Sequence, residues 1–521
     1  MKKVVVGLDF GTSSARALMV DALSGEVIKS KAVNYARGIL DGDTVCVDDY
    51  TEALELLLDD MSKSNHASSV CGICVDATSL TLVCLSEGLV PLEKLQGFET
   101  REHARVKLWK RHSAEPQAAE ALSLAKEMEE PFLLRSCETL SVEWTLPKLL
   151  EMRDNDYEVY KKADIAFDLC EYLTFLLTGE IKRSIGSMSF KGLWSEAEAF
   201  PSDKYLNTLR DGLAKEYKHL LRGEVLYAGK AAGVLLPALC KKYGFVDGCV
   251  VAAGALDGHT SQVALGALNE GDAALVVGTS NVFTVQTDKF YPIKELCGIA
   301  ENSQIEGLCG VDSGQACTGD MLAWYLENAL PKDDSYTAEK KGIGVHELLC
   351  SKIKKPWTNK LCAADWWNGS RNVPRNDRLA GVIYGMTLKT RSEDIYLTLL
   401  QSIACGTRSI IERCEESGVK IKRIFVTGGI ALKNPTLMQE YSNILNRTLY
   451  VGTGTEGPAL GAAVFASVAA NIYEDVRLAA EVMGNKLYKT YLPDEEHRSE
   501  YENIYARNCR LRELISEMEN E

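Results

Sequence analysis

Val4-Val5-Val6-Gly7-Leu8-Asp9-Phe10-Gly11-Thr12-Ser13-Ser14-Ala15-Arg16-Ala17-Leu18-Met19-Val20-Asp21 reads as an apolar strand, a Gly-Thr-Ser turn and a second apolar strand. A glycine at the tip lets backbone N–H groups come close to an anion, and the hydroxyls of Thr12 and Ser13 add donors that suit phosphate oxygens. One such turn is also ordinary hairpin punctuation. The chain repeats it, however: Ala273-Ala274-Leu275-Val276-Val277-Gly278-Thr279-Ser280-Asn281-Val282-Phe283-Thr284-Val285 has the same layout, with Gly278, Thr279 and Ser280 at its tip. Two such hairpins facing each other would clamp a polyphosphate such as that of ATP. Asp9, at the end of the first strand, is placed to face the turn and to hold, through water, the Mg²⁺ that accompanies a triphosphate. Arg16, just beyond the turn, is a candidate for neutralising the transferred phosphoryl group, although an arginine in a second strand also suits plain surface. Asp21 reads as the end of that strand.

At 521 residues and 46% hydrophobic content, the chain is long enough for two cores of ordinary composition. A formal net charge of -15 speaks against nucleic acid or an anionic membrane as the main partner, while leaving room for a local cationic pocket. The opening Met-Lys-Lys and three valines imitate an export signal, but Asp9 interrupts the apolar run, and no stretch reaches the ~20 apolar residues of a membrane span. Sixteen cysteines without framework spacing point to reduced thiols and a cytoplasmic protein. Cys71-Gly72-Ile73-Cys74 has a ligand-pair spacing with no second pair or nearby histidine, and reads as two strand cysteines.

A helical pattern over Ala231–Tyr243 precedes Gly244 and the apolar strand Cys249–Ala253, and the second hairpin follows shortly after. This places a domain boundary near Leu268, giving units 1–268 and 269–521 that each carry a phosphate hairpin and continue with alternating strands and helices, an α/β pattern with the ligand in the cleft between them. Further on, Ile424-Phe425-Val426-Thr427 is a buried strand ending at Gly428-Gly429, where a flat adenine ring would lie close to the backbone. Asn434 then caps a helix that begins at Pro435 and carries the stripe Leu437, Met438, Tyr441, Ile444 and Leu445. Gly452-Thr453-Gly454-Thr455-Glu456-Gly457 matches a dinucleotide fingerprint by letter, yet no strand–helix–strand unit with a ribose-binding acid follows it. Pro458 opens a small-residue helix suited to close packing. From about Pro493 a charged helix carries Tyr501 and Tyr505 on one side.

With two hairpins and Thr427-Gly428-Gly429, the chain resembles the actin, sugar-kinase and heat-shock ATPase superfamily, and Gly254-Ala255-Leu256-Asp257-Gly258-His259 resembles the catalytic segment of the FGGY carbohydrate kinases. Val75-Asp76-Ala77-Thr78-Ser79, Lys107-Leu108-Trp109-Lys110-Arg111-His112, Ser141-Val142-Glu143-Trp144, Ser313-Gly314-Gln315-Ala316 and Asp365-Trp366-Trp367-Asn368-Gly369-Ser370-Arg371 resemble the ribulokinase branch of that family. The resemblance implies a two-domain actin-like (ribonuclease H-like) α/β fold with the active site in the interdomain cleft, and a homodimer as a compatible assembly. It also implies ATP-dependent phosphorylation of a ketopentose, L-ribulose to L-ribulose 5-phosphate. D-Ribulose, L-xylulose or ribitol are alternative substrates, and a non-catalytic nucleotide-binding regulator is the alternative from another class.

Carried over by position, the resemblance implies a sugar pocket of Ala77, Trp109, Lys191, Asp257 and Asp312, with Asp257 as the base that accepts the hydroxyl proton. ATP would be held by Gly11, Thr12, Ser13, Arg16, Gly278, Thr279, Ser280, Gly428, Gly429 and Asn434, and Mg²⁺ by Asp9. Asp312 departs from the glutamate usual there by one methylene, and the segment Gly186–Lys191 is a loose match. Asp257 would equally serve as a helix N-cap, Lys191 as a solvated loop lysine and Trp109 as core; His112 and His259 lack ligand spacing to any partner in the sequence and are assigned to no metal.

Overall fold

Apolar strands that bury both faces need helices on each side of their sheet, and the chain builds two such sheets. In the computed structural model, which describes residues 2–41, 43–353, 360–376, 378–452, 454, 457–486 and 488–518, the first sheet runs in the order Ala231–Val234, Val250–Ala252, Val70–Ala77, Val4–Phe10, Ser14–Asp21, Val27–Asn34, with Ala255–Leu256 also beside Val70–Ala77. The second runs Gly298–Glu301, Cys309–Gln315, Asn281–Thr287, Asp272–Val277, Arg423–Thr427, Leu449–Gly452, Tyr488–Tyr491. Each sheet has its Gly-Thr-Ser hairpin near the centre and a parallel strand against the first arm of that hairpin, Val70–Ala77 in one case and Arg423–Thr427 in the other. The strand Arg423–Thr427 and the helix Pro435–Leu445 stand where the sequence predicts them, the helix capped by Asn434, whose side chain accepts the Leu437 N–H at 3.0 Å, but between them Gly429–Lys433 forms a short helix of its own in place of a plain turn.

One expected helix is shorter than its pattern. Ala231–Val234 forms an edge strand antiparallel to Val250–Ala252, and the helix spans only Pro237–Tyr243. The neighbouring strand offers the small residues Ala-Ala-Gly-Val a hydrogen-bonding edge, and tertiary pairing overrides a weak local preference.

A third apolar cluster, including Phe132, Leu146, Leu149, Tyr205 and Tyr217, fills a lobe inserted between the strands of the first sheet. Its small sheet joins Ile39–Leu40, Thr44–Val45, Val106–Lys107, Leu82–Leu85 and Ile165–Asp168. Trp109 leaves this lobe toward the cleft with one side packed on its core.

The helix Gly457–Ala469 does not stay with the second sheet. It returns to cover the first, where Ala459, Ala462, Ala463 and Phe465 join Val5, Leu18 and Val20 in one buried cluster. The approach is close enough to demand glycine: a Cβ on Gly7 would stand 1.8 Å from the Ala459 carbonyl oxygen, and one on Gly461 would stand 1.9 Å from the Thr260 carbonyl oxygen. This helix therefore crosses back over the expected boundary near Leu268, which falls in the turn before Asp272–Val277, to pack on the first sheet. Of the fingerprint-like segment before this helix, Thr453, Thr455 and Glu456 lie outside the described residues. The cysteines are free thiols, Cys74 buried within Val70–Ala77. Among the described residues no helix is long and apolar enough to cross a membrane. The helix Arg498–Met518 docks with Tyr501 and Tyr505 inward.

Candidate active site

Strand register brings three carboxylates to one end of the first sheet. Asp9 pairs with Asp76, Asp76 with Ala255, and Leu256 with Ala77, so Asp257 follows immediately beyond the same row. Asp76 is fully buried; burial, then the neighbouring Asp9 and Asp257, push its carboxyl well above the ordinary range. Asp257 is raised to about 7, by burial first and then by the charge of Asp9, with Asp312 adding to it and the Gly258 N–H opposing. The helix Asp257–Ala264 takes its N-cap from Leu256, and Asp257 itself is the first helical residue, its Oδ1 accepting the adjacent Gly258 N–H at 2.7 Å. The carboxyl thus does not act as the cap of that helix, and it opens onto a cavity of about 310 Å³, within the range of small-molecule sites.

That cavity is lined by Thr12, Trp109, Lys191, Asp257, Gly278, Thr279, Ser280 and Asp312 together, from both halves of the chain. The Trp109 indole N–H donates to Thr12 Oγ1 at 3.1 Å, joining the wall of the pocket to the first hairpin. Lys191 is 7% exposed, its Nζ 3.4 Å from Asp312 Oδ2 and above the rings of Phe190 and Trp144, so it is no solvated loop lysine. In the second hairpin the Gly278 and Thr279 carbonyls accept from the backbone of Gly319 and Thr318 at 3.1 and 2.8 Å, which turns them away from the tip. A Cβ on Gly278 would meet only the Ser280 carbonyl oxygen, at 3.5 Å, so the space above this glycine is open.

The remaining expected residues are not among those that line the cavity. Ala77 is fully buried at the end of Val70–Ala77, and the next residue, Thr78, lines the cavity. Gly11, Ser13 and Arg16 belong to the first hairpin and its outgoing strand; Tyr35 fixes the turn, its hydroxyl donating to the Gly11 carbonyl at 2.9 Å. Gly428 and Gly429 follow the strand beside the second hairpin. Gly428 has a φ of +111° and sits so close under Val277 that a Cβ would come 2.2 Å from its carbonyl oxygen, whereas Gly429 faces open space. Asn434 is 6% exposed and its amide is committed to the helix cap and to the Tyr396 hydroxyl, 3.0 Å away.

Other groups at the site went unassigned in the sequence. Leu80, with a φ of +63°, is held at both backbone polar atoms: its N–H donates to Asp168 Oδ2 at 3.0 Å and its carbonyl accepts from Lys148 Nζ at 2.7 Å. Lys148 also donates to the Leu108 carbonyl at 2.7 Å, and burial lowers it to about 7. The signal was a lysine within the apolar run Leu146–Leu150 of the helix Thr145–Asn155, at a position that is fully buried. His112 does have a carboxylate partner in space, Glu143 at 3.2 Å, from a segment 31 residues away. His259 is buried against Phe190 and pushed down to about 4 by that burial, hence neutral at pH 7.

Two Gly-Thr-Ser hairpins, one of them opening on a carboxylate-lined cavity, fit a nucleoside triphosphate. The hard oxygens of Asp9 fit a Mg²⁺ that keeps most of its water. Among the described residues no group of three or more His, Cys, Asp or Glu side chains forms a metal cage of its own.

Residues 4–264 match the N-terminal domain, and residues 273–470 the C-terminal domain, of the FGGY family of carbohydrate kinases. The chain is 32% identical to a ribulokinase from Shouchella clausii over 100% of its own length and 97% of that protein's, and 32% identical to a ribulokinase from Halalkalibacterium halodurans over 100% and 96%. Among solved structures it is similar to a xylulose kinase from Rhodospirillum rubrum, with a TM-score of 0.83, 17% identity and coverage of 99% and 100% of the two chains. These matches run the whole length of the sequence and agree with the paired hairpins: the chain belongs to the FGGY family of carbohydrate kinases.

Proposed function

We propose that the chain transfers the γ-phosphoryl group of ATP to the terminal primary hydroxyl of L-ribulose, giving L-ribulose 5-phosphate. The observation that carries this reading is Asp257: a carboxyl raised to about 7 in a cavity shared by the Gly278–Ser280 hairpin and the pocket wall of Trp109, Lys191 and Asp312. The full-length ribulokinase relatives support the choice of sugar.

Phosphoryl transfer needs alignment, charge neutralisation and an acceptor for the hydroxyl proton. Asp257 takes that proton on the oxygen that faces the cavity while its other oxygen keeps the Gly258 N–H. A carboxylate with a pKa near the working pH is matched to the task. Lys191 and Asp312 orient the sugar hydroxyls, and Trp109 walls the apolar face of the ring or chain. Backbone N–H groups of Thr12, Ser13, Thr279 and Ser280 bind phosphate oxygens, with Arg16 adding charge, while the Gly11 and Gly278 N–H groups close their own turns on the Ser14 and Ser280 carbonyls at 2.9 Å each. Gly428 and Gly429 receive the adenosine, with Asn434 acting through the helix it caps. Mg²⁺, held by Asp9 through water, would neutralise the polyphosphate. The two units divide near Leu268 and close over the substrates, excluding the water that competes for the phosphoryl group.

A coupled ADP-release assay over pentuloses, polyols and aldohexoses tests the reading. L-Ribulose is expected to give the highest kcat/KM; glycerol or an aldohexose as best substrate would overturn it.

A further inference from the structure

The loop Asp365–Asn376 belongs to the second half and is fastened there from behind. Asp365 accepts from Arg512 at 2.7 Å and from Gln315 at 2.6 Å, Arg512 also donates to the Val373 carbonyl at 2.8 Å, and the Asn372 amide donates to the Gly314 carbonyl. From its tip two arginines cross the cleft to the inserted lobe of the first half. Arg371 Nη2 donates to Glu143 Oε1 at 2.9 Å, and Arg375 Nη1 donates to Thr139 Oγ1 at 3.2 Å. The Arg371 guanidinium also lies over Trp109, 5.3 Å from the ring centroid, on the residue whose indole N–H holds Thr12. Glu143 is 9% exposed and carries His112 as well. Burial favours its neutral form, yet Arg371 and then His112 outweigh this and hold it down to about 2.

From this geometry we propose that Arg371 is a positioning residue that latches the second half onto the sugar pocket: by pairing with Glu143 and covering Trp109, it completes the sugar-binding wall only when the cleft is closed. A largely desolvated charge pair whose partners come from opposite sides of a cleft is made in one arrangement and opened to water in the other, which is the form of a two-position latch. A guanidinium is suited to this place, since its plane stacks on an indole while its edge donates to a carboxylate. The partners of Arg371, Glu143 and Trp109, stand on the sugar side of the cavity rather than at the Gly428–Gly429 turn, so its loss should fall on the sugar more than on ATP.

The inference rests on the sugar-kinase reading for its kinetic part and on shape alone for the rest, and the test keeps the two apart. Arg371→Met, Glu143→Gln and the double variant are compared with the parent by steady-state kinetics with L-ribulose and ATP, by ADP release without sugar, and by small-angle scattering with and without sugar. Each single variant is expected to raise the sugar KM about tenfold, within the range of coupling between contacting residues, and to leave the ATP KM within about twofold. The double variant should be no worse than the poorer single one, sugar-independent ATP hydrolysis should rise, and the radius of gyration should shift to larger values in each variant. Arg371→Lys, which keeps the charge but loses the flat stack, should recover part of the sugar KM and carries the same readouts if Arg371→Met does not fold. Additive losses, an equal loss for ATP, or a radius of gyration unchanged from the parent overturns the latch. A parent protein inactive on L-ribulose would instead sink the substrate assignment, with the latch still read by scattering.

Discussion

At the residue scale the decisive group is Asp257, because two roles readable from the sequence, helix cap and proton acceptor, predict different behaviour. In Asp257→Asn the amide preserves shape and most contacts but accepts no proton, so kcat should fall by roughly 10²–10⁴ while both substrate affinities stay within a few-fold. Turnover near that of the parent would remove Asp257 from the chemistry. The pH dependence has a definite sign: the carboxyl must be ionised to act, so kcat/KM should rise through about pH 7. Its folded value lies above that of the unfolded chain, so the stability linked to it is present below the ordinary carboxylate range and lost as pH rises through about 7. The Asn variant should therefore melt higher than the parent at pH 8, with the two converging near pH 4, as calorimetry at both values would record. Asp312 stands 3.4 Å from Lys191 in the cavity wall and is one methylene shorter than the glutamate of the kinases the chain resembles. Asp312→Glu should shift kcat/KM toward L-ribulose within the pentulose panel, and an unaltered ranking would remove residue 312 from recognition.

At the element scale the two hairpins and the Gly-Gly turn separate glycines needed for a ligand from glycines needed for the fold. Gly278 has ordinary backbone geometry and open space above it, so Gly278→Val should fold as the parent does and lose ATP affinity with little change for sugar, measured by titration calorimetry. Gly428 combines a left-handed φ with a contact under Val277, and Gly428→Ala should lower Tm before any question of nucleotide arises. An unchanged ATP affinity in a folded Gly278→Val protein would take that hairpin out of the site. Elements were legible where local pattern and tertiary role agree: the repeated apolar strand, Gly-Thr-Ser turn and strand, and the Asn434–Pro435 helix start, each state their structure within one continuous stretch of sequence. Ala231–Val234 was not legible because its strand exists only through the edge of Val250–Ala252. The pairings His112–Glu143 and Glu143–Arg371 join residues 31 and 228 positions apart, a distance that no local spacing encodes. Asp76 did leave a trace, a lone acid in an apolar strand, which marks either strain or chemistry.

At the scale of the whole molecule, the packing of Gly457–Ala469 beneath the first sheet joins the end of the chain to its beginning. The apolar underside formed by Val5, Leu18 and Val20 is buried by that helix. A fragment ending at residue 268 should for this reason be poorly soluble and bind an apolar dye, and the full chain should show one cooperative calorimetric transition; a soluble, independently melting fragment would contradict this. The same feature bears on how the protein is made. Once its last strand, Ala255–Leu256, has left the ribosome, the first sheet must wait for about 200 further residues before its cover exists, roughly 10–40 s at ~5–20 residues per second. During that interval the nascent chain carries an exposed greasy face in a crowded cell, a natural client for a chaperone that binds during translation. Codon changes that slow elongation between the two halves would lengthen that exposure and lower the yield of folded protein without altering a single residue.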